Sequence, residues 1–240
     1  MNHVFHAMGT AVSVTGAAAL MPRVEAVFEE LEDRFSLYRP TTEASRLARG
    51  DVLLTRASDE MKAMYALAHD WRAATEGAFR PHRPDGVIEL AGLVKAKAIE
   101  AAGSVLAESD ERWLINAGGD VLSDGTPWVV GIVDPDDKTT LLTQFTTSSV
   151  LPAVATSGTT ERGEHIWRAG TKDAFVQVSV AGPDIVTADV LATAIMAGSP
   201  DLLDTLIDRY GLEVIAIRRT GEILATSAFR APASPSLSVE

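Results

Sequence analysis

Apolar positions along the chain recur with two spacings, that of a helix surface and that of a pleated strand. Val24, Val27, Phe28, Leu31 and Phe35 follow helical spacing with acids between them, after Pro22, which a helix tolerates at its start. Ser58 to Ala74 carries a second stripe through Met61, Met64, Tyr65, Ala68 and Trp71. A third helix is predicted from Glu89 to about Glu108, and Leu202 to Tyr210 forms another, stopped by Gly211. Glu43 to Leu47 reads as a short helical turn. Alternating patterns predict a strand over Val4 to Thr15, with Gly9 inside it marking a bulge or a close backbone approach. Further strands are predicted at 113–116, 128–133, 140–147, 150–156 and 176–180, with a hairpin of 213–218 and 222–226 around Thr220-Gly221. Helices and strands are mixed, and several neighbouring strands are joined by short turns. That order predicts an α+β fold, with mixed, largely antiparallel sheets packed with helices, rather than a doubly wound sheet. Residues 1–230 read as one domain, and the Pro- and Ser-rich 231–240 as a frayed tail.

The segment from Thr187 to Gly198 adds chemistry to this pattern. Its Ala, Leu and Met content favours a helix, with Thr187 as N-cap and Gly198 as stop. Val190, Leu191, Ala194 and Ile195 make it apolar nearly all round, so it is expected to be buried. Asp189 and Thr193 then lie one above the other on a single face. A buried carboxylate needs a partner, and a bound cation is one. Few, hard oxygen ligands suit Mg²⁺, which keeps positions for water and substrate phosphates. The same pair also fits a plainer role, with Asp189 complementing the dipole of the first turn and Thr193 bonding back to the backbone.

Composition narrows the partners. The chain has 240 residues, of which 46% are hydrophobic, enough for a large core and too apolar for a disordered chain. With 33 acidic and 21 basic residues its formal charge is −12, which argues against nucleic acid or an anionic membrane as the main partner. An anionic ligand must therefore be drawn in by a local site. Cysteine is absent, which excludes disulfide and thiolate chemistry. The first residues lack the pattern of a signal peptide, and no apolar run approaches the ~20 residues that span a bilayer, so the expected compartment is cytoplasmic, without membrane insertion.

Five stretches stand out: Met8-Gly9-Thr10, Phe35-Ser36-Leu37-Tyr38, Gly92-Leu93-Val94-Lys95, Thr156-Ser157-Gly158 with His165-Ile166, and Ala188-Asp189 through Thr193. In this order and spacing they resemble the ApbE-like family of FAD:protein FMN transferases, from Phe5 to about Thr226. The resemblance implies a T-fold-related architecture with the flavin site between lobes. It implies that FAD and Mg²⁺ are bound, that the FAD pyrophosphate is cleaved, and that FMN passes to a Thr or Ser of an acceptor flavoprotein with release of AMP. Some members use water instead, as FAD pyrophosphatases. The metal would be held by Asp189 and Thr193, with Gly92 at the position of a main-chain carbonyl ligand. The flavin nucleotide would be contacted at Met8, Tyr38, Ala78, Phe79, Glu89, Lys95 and Ile166, and His165 would be the base for the attacking hydroxyl. Read without the family, Lys95 would be an exposed helix lysine, Tyr38 a half-buried loop anchor and His165 a surface residue.

Several positions depart from the family pattern. Phe79-Arg80-Pro81 stands where Phe-Asp-Pro is usual, Glu89 where Asp is usual, and Lys95-Ala96-Lys97 where Lys-Gly-Tyr is usual. His165-Ile166-Trp167-Arg168 lacks the family's following acid. Two acids have thus become Arg80 and Arg168, which reverses local charge beside the expected site. Arginine suits phosphate, so nucleotide binding is compatible with the change, whereas acceptor recognition is altered. A chain that binds FAD without turnover is the third alternative.

Overall fold

A computed structural model describes residues 2–158 and 175–230. In chain order the first half comprises β1 (Asn2–Ala7), β2 (Thr10–Thr15), α1 (Met21–Phe35), α2 (Glu43–Ala48), α3 (Asp59–Ala74), α4 (Ala91–Leu106), β3 (Leu114–Ala117) and β4 (Asp120–Ser123). The second half adds β5 (Val129–Val133), β6 (Leu141–Thr146), β7 (Ala153–Gly158), β8 (Phe175–Gly182), α5 (Ile185–Ala197), α6 (Pro200–Tyr210), β9 (Glu213–Arg218), β10 (Ile223–Ala225) and α7 (Ser227–Arg230). The main sheet has eight strands in the order β1-β2-β3-β4-β7-β8-β9-β10, and every neighbouring pair is antiparallel. The α+β expectation therefore holds. No helix among the described residues is long and apolar enough to cross a membrane.

Strand alternation sorts the side chains into two cores. Val12, Val14, Ile115, Ala155, Val178 and Val180 point to the face covered by the helices, where they meet Phe28, Leu93, Ile99 and Leu191. Val121, Val154, Ala181 and Ile215 point to the other face, which the β5–β6 hairpin covers with Val130, Ile132 and Phe145. Phe229 of α7 completes this second core, its ring centroid 5.1 Å from that of Phe145. β8 is buried on both faces, and its polar Gln177 and Ser179 are buried along with its apolar residues. Small residues let α5 lie close on the sheet: a Cβ on Gly182 would stand 3.5 Å from that of Ala188.

Four local differences from the expected elements have physical reasons. Val4–Thr15 is two strands, because Met8 (φ 52°) and Gly9 (φ 74°) form a tight hairpin turn in place of a bulge. A short strand, β4, follows the Gly118-Gly119 turn, where the sequence suggested only a strand end. The third helix begins at Ala91, leaving Glu89 in the preceding loop. Most consequential, α5 starts earlier than its helix formers suggest. Asp184 is its N-cap, with Oδ1 accepting from the Thr187 N–H at 2.7 Å and Oδ2 from the Thr187 hydroxyl at 2.7 Å. Thr187 thus lies inside the helix, and Asp189 lies beyond its first turn.

The cap is testable. Asp184→Ala is expected to lower unfolding free energy in urea by about 1 kcal/mol, whereas Asp184→Asn, which keeps an acceptor, loses less. Equal stability of Asp184→Ala and wild type would remove the cap from Asp184.

Candidate functional site

Two hairpin turns lie side by side at one end of the main sheet. The Gly118 N–H donates to the Ala11 carbonyl at 3.2 Å, tying the β3–β4 turn to the start of β2. The approach is close: a Cβ on Gly118, whose φ is 61°, would fall 2.5 Å from Thr10 Oγ1. Beside these turns, α4, α5, β7 and the loops at 36–42 and 75–90 wall a cleft of about 710 Å³. Met8, Tyr38, Ala78, Phe79, Glu89, Gly92, Lys95 and Thr193 all line it. These eight of the positions expected from the sequence to meet nucleotide or metal converge here, while Asp189 is buried and is not among the lining residues. His165 and Ile166 lie outside the described residues.

Three buried charged groups meet at Lys95, which lines the cleft, whereas Asp120 and Asp189 are not among its lining residues. Lys95 rises from the apolar first turns of α4, and its side chain is only 6% exposed, paired with Asp120 at the start of β4. Asp120 is fully buried, and its Oδ1 accepts from the Thr156 N–H at 3.1 Å. Asp189 of α5 is 2% exposed, and its Oδ2 is buried without a hydrogen-bond partner. Burial raises Asp189 above the usual carboxylate range, against the attraction of Lys95. Burial also pushes Asp120 up, to about 7, opposed by Lys95 and reinforced by the charge of Asp189. With both carboxylates ionised, two around one ammonium would leave one negative charge in excess, in a setting where an unmatched charge is expensive, and protonation or a bound cation would remove it.

That orphaned oxygen tests whether a cation fits. Thr193, one turn beyond Asp189, is the only residue of α5 that is not buried, and it reaches the cleft. Its hydroxyl is 3.2 Å from that of Ser157. No group of three or more His, Cys, Asp or Glu able to hold a metal occurs among the described residues. A site with one carboxylate and one hydroxyl, both hard oxygens, fits a cation that keeps most of its coordination for water and phosphate, as Mg²⁺ does. At Gly92, in the first turn of α4, a Cβ would meet only the Phe79 ring at 3.6 Å, an ordinary contact. The glycine there is not a steric requirement.

The plainer sequence readings are overturned at three residues. Lys95 is buried and ion-paired rather than exposed, because it lies on the inward face of α4. Tyr38 is 82% exposed at the cleft wall rather than half-buried, since its loop leaves α1 outward. Asp189 is not in the first turn of its helix, so the dipole alone does not account for it. Asp120 went unassigned in the sequence, although an acid directly after paired glycines at a strand end was a usable signal. Lys138, at the tip of the β5–β6 hairpin, reaches the cleft from a distant segment that nothing in the sequence connected to it. Arg80 lines the cleft as well, its Nε donating to the Gly77 carbonyl at 3.0 Å.

The described residues form an antiparallel α+β fold with a cleft at one end of its main sheet and buried charge beside it. Comparison with known proteins places it more closely. The sequence model of the ApbE family matches residues 8–83 and 80–216, and the chain belongs to that family. The ApbE protein of Thermotoga maritima superposes with a TM-score of 0.77 at 18% identity, over 95% of this chain and 97% of that one. The Pseudomonas stutzeri flavinyl transferase ApbE, in its apo form, gives 0.74 at 16% identity over 95% and 96%. The flavin transferase ApbE of Vibrio cholerae gives 0.71 at 18% over 95% and 97%. At these identities the likeness establishes the fold. No curated protein matches the sequence significantly.

The buried carboxylate makes a pH prediction for the metal-free protein. Asp120 has a folded pKa of about 7 against an ordinary 3.8. Between those values the unfolded chain holds fewer protons than the folded one, so this group's contribution to stability falls as pH rises and levels off above about 7. In EDTA, the melting temperature of wild type minus that of Asp120→Asn is expected to decrease from pH 5 to pH 8. A difference that does not change with pH would refute the shift.

Proposed function

We propose that this chain is a Mg²⁺-dependent FAD:protein FMN transferase. The observation that carries the reading is the unpartnered, buried Asp189 oxygen one helical turn from Thr193, which lines a nucleotide-sized cleft, in a chain of this family. In the proposed reaction the hydroxyl oxygen of an acceptor Thr or Ser bonds to the FMN phosphorus of FAD. The bond from that phosphorus to the bridging oxygen breaks, and AMP leaves with the bridging oxygen. Such transfers need alignment and charge neutralisation more than covalent help from the protein. Mg²⁺, when bound, would supply charge neutralisation and Lewis acidity at the diphosphate.

The chain's own residues would do the rest. Asp189, Thr193 and the main chain at Gly92 would hold the ion. Lys95 would bring a compact positive charge to the phosphate end of the cleft, kept in place by Asp120. Tyr38, exposed at the wall, would offer an aromatic face to a ring system, with Met8, Ala78 and Phe79 closing the apolar side and Glu89 meeting polar atoms. His165 would accept the proton of the attacking hydroxyl. Arg80 favours keeping a second reading open. A guanidinium in the cleft wall, where the family pattern has an acid, changes what the acceptor side attracts, and water in place of a protein hydroxyl would make the chain an FAD pyrophosphatase.

With FAD, Mg²⁺ and a candidate acceptor flavoprotein, the acceptor is expected to become covalently fluorescent on a denaturing gel, and EDTA to prevent it. Asp189→Ala is expected to slow labelling by at least about a hundredfold, the scale of a few kcal/mol of lost charge stabilisation. Labelling by that variant at the wild-type rate would remove Asp189 from the metal site. FMN and AMP formed equally fast without acceptor would favour the pyrophosphatase.

A further inference from the structure

Three buried charged groups, of which Lys95 lines the cleft, pose a question of partner choice. One ammonium, Lys95, acts electrostatically on both carboxylates, and Asp120 and Asp189 also act on each other. Lys95 pairs with Asp120. The reason lies in how each carboxylate is held. Asp120 follows a tight two-glycine turn, and the Thr156 N–H fixes its Oδ1 at 3.1 Å. It is thereby anchored by β3 and β7 with its second oxygen presented to α4. Asp189 sits inside α5, where the main-chain N–H groups are committed to the helix, and its Oδ2 has no hydrogen-bond partner.

We infer that Asp120 is a positioning residue whose negative charge holds the Lys95 ammonium away from Asp189, and so keeps Asp189 open to a divalent cation. The inference rests on the metal role proposed above for Asp189. A lysine has a flexible four-carbon stem and a mobile point charge. Buried and deprived of Asp120, that charge would have Asp189 as its remaining buried carboxylate, and the drive to pair a desolvated ion is strong. The resulting Lys95–Asp189 pair would fill the site with the protein's own cation. Asp120 thus works against a competing internal contact, and it need not touch the metal or the nucleotide to do so.

Mn²⁺ binding to the full-length protein, followed through the electron paramagnetic resonance signal of the free ion and without any turnover, tests this. Asp120→Asn keeps the shape and the acceptor for Thr156 and removes only the charge; it is expected to weaken Mn²⁺ binding by about tenfold or more, the scale of lost outer-shell support. Lys95→Met added to Asp120→Asn is expected to restore binding to within about threefold of wild type. Its gain should be about tenfold larger in that background than in wild type, because only there does Lys95 occupy Asp189. Asp120→Glu, which keeps the charge, is expected to bind Mn²⁺ within about threefold of wild type and serves if Asp120→Asn does not fold. Equal gains from Lys95→Met in both backgrounds would mean simple summed charge and would overturn the inference. So would undiminished binding by Asp120→Asn, or a loss in Asp120→Glu as large as in Asp120→Asn. A folded wild type that binds no Mn²⁺ would overturn the metal reading itself, and this inference with it.

Discussion

One ammonium shared unequally between two buried carboxylates is the constraint on which the rest of the site depends. Lys95, Asp120 and Asp189 come from a helix, a strand and a second helix, and none of them tolerates burial alone. Their mutual placement fixes how α4 and α5 sit over the end of β4. It also raises both carboxylates above their ordinary range, because one ammonium cannot match two buried acids.

The antiparallel sheet makes this possible by burying its central strands on both faces. Helices cover one face, while the β5–β6 hairpin and α7 cover the other. Positions on β4 and β7 can therefore be dry without being in the middle of a helix bundle. The alternation of side chains then decides the outcome at each residue. Asp120 shares the helix-side face with Leu122 and Ser157 with Ala155, so the polar groups of the site emerge from the same face as the apolar core. The two hairpin turns at that end, Met8-Gly9 and Gly118-Gly119, let the backbone come close enough to form the rim.

Membership of the ApbE family and the likeness to solved ApbE structures place this cleft within a known fold. The cleft walls carry charge of both signs. The overall charge of the chain is strongly negative, yet Arg80, Lys95 and Lys138 reach the cleft beside Glu32 and Glu89, so positive potential there is local rather than global.

The sequence by itself determined a good deal. Helical stripes such as Met61, Met64 and Ala68, and the alternation along 176–180, identified most elements, because a period of burial is written directly in the order of residues. The apolar girth of 187–198 marked Asp189 and Thr193 as a carboxylate and a hydroxyl in a buried helix, and the motif order pointed to the positions that line the cleft. Tertiary structure alone decided the rest. It set Asp184 as the cap of α5, turned one long strand into a hairpin at Met8-Gly9, and chose Asp120 as the partner of Lys95. The physical reason is common to all three. Local pattern reports which side chains seek burial, but the partner of a buried charge, and the exposure of a residue such as Tyr38, depend on segments far away in the chain that meet only when the sheet has formed.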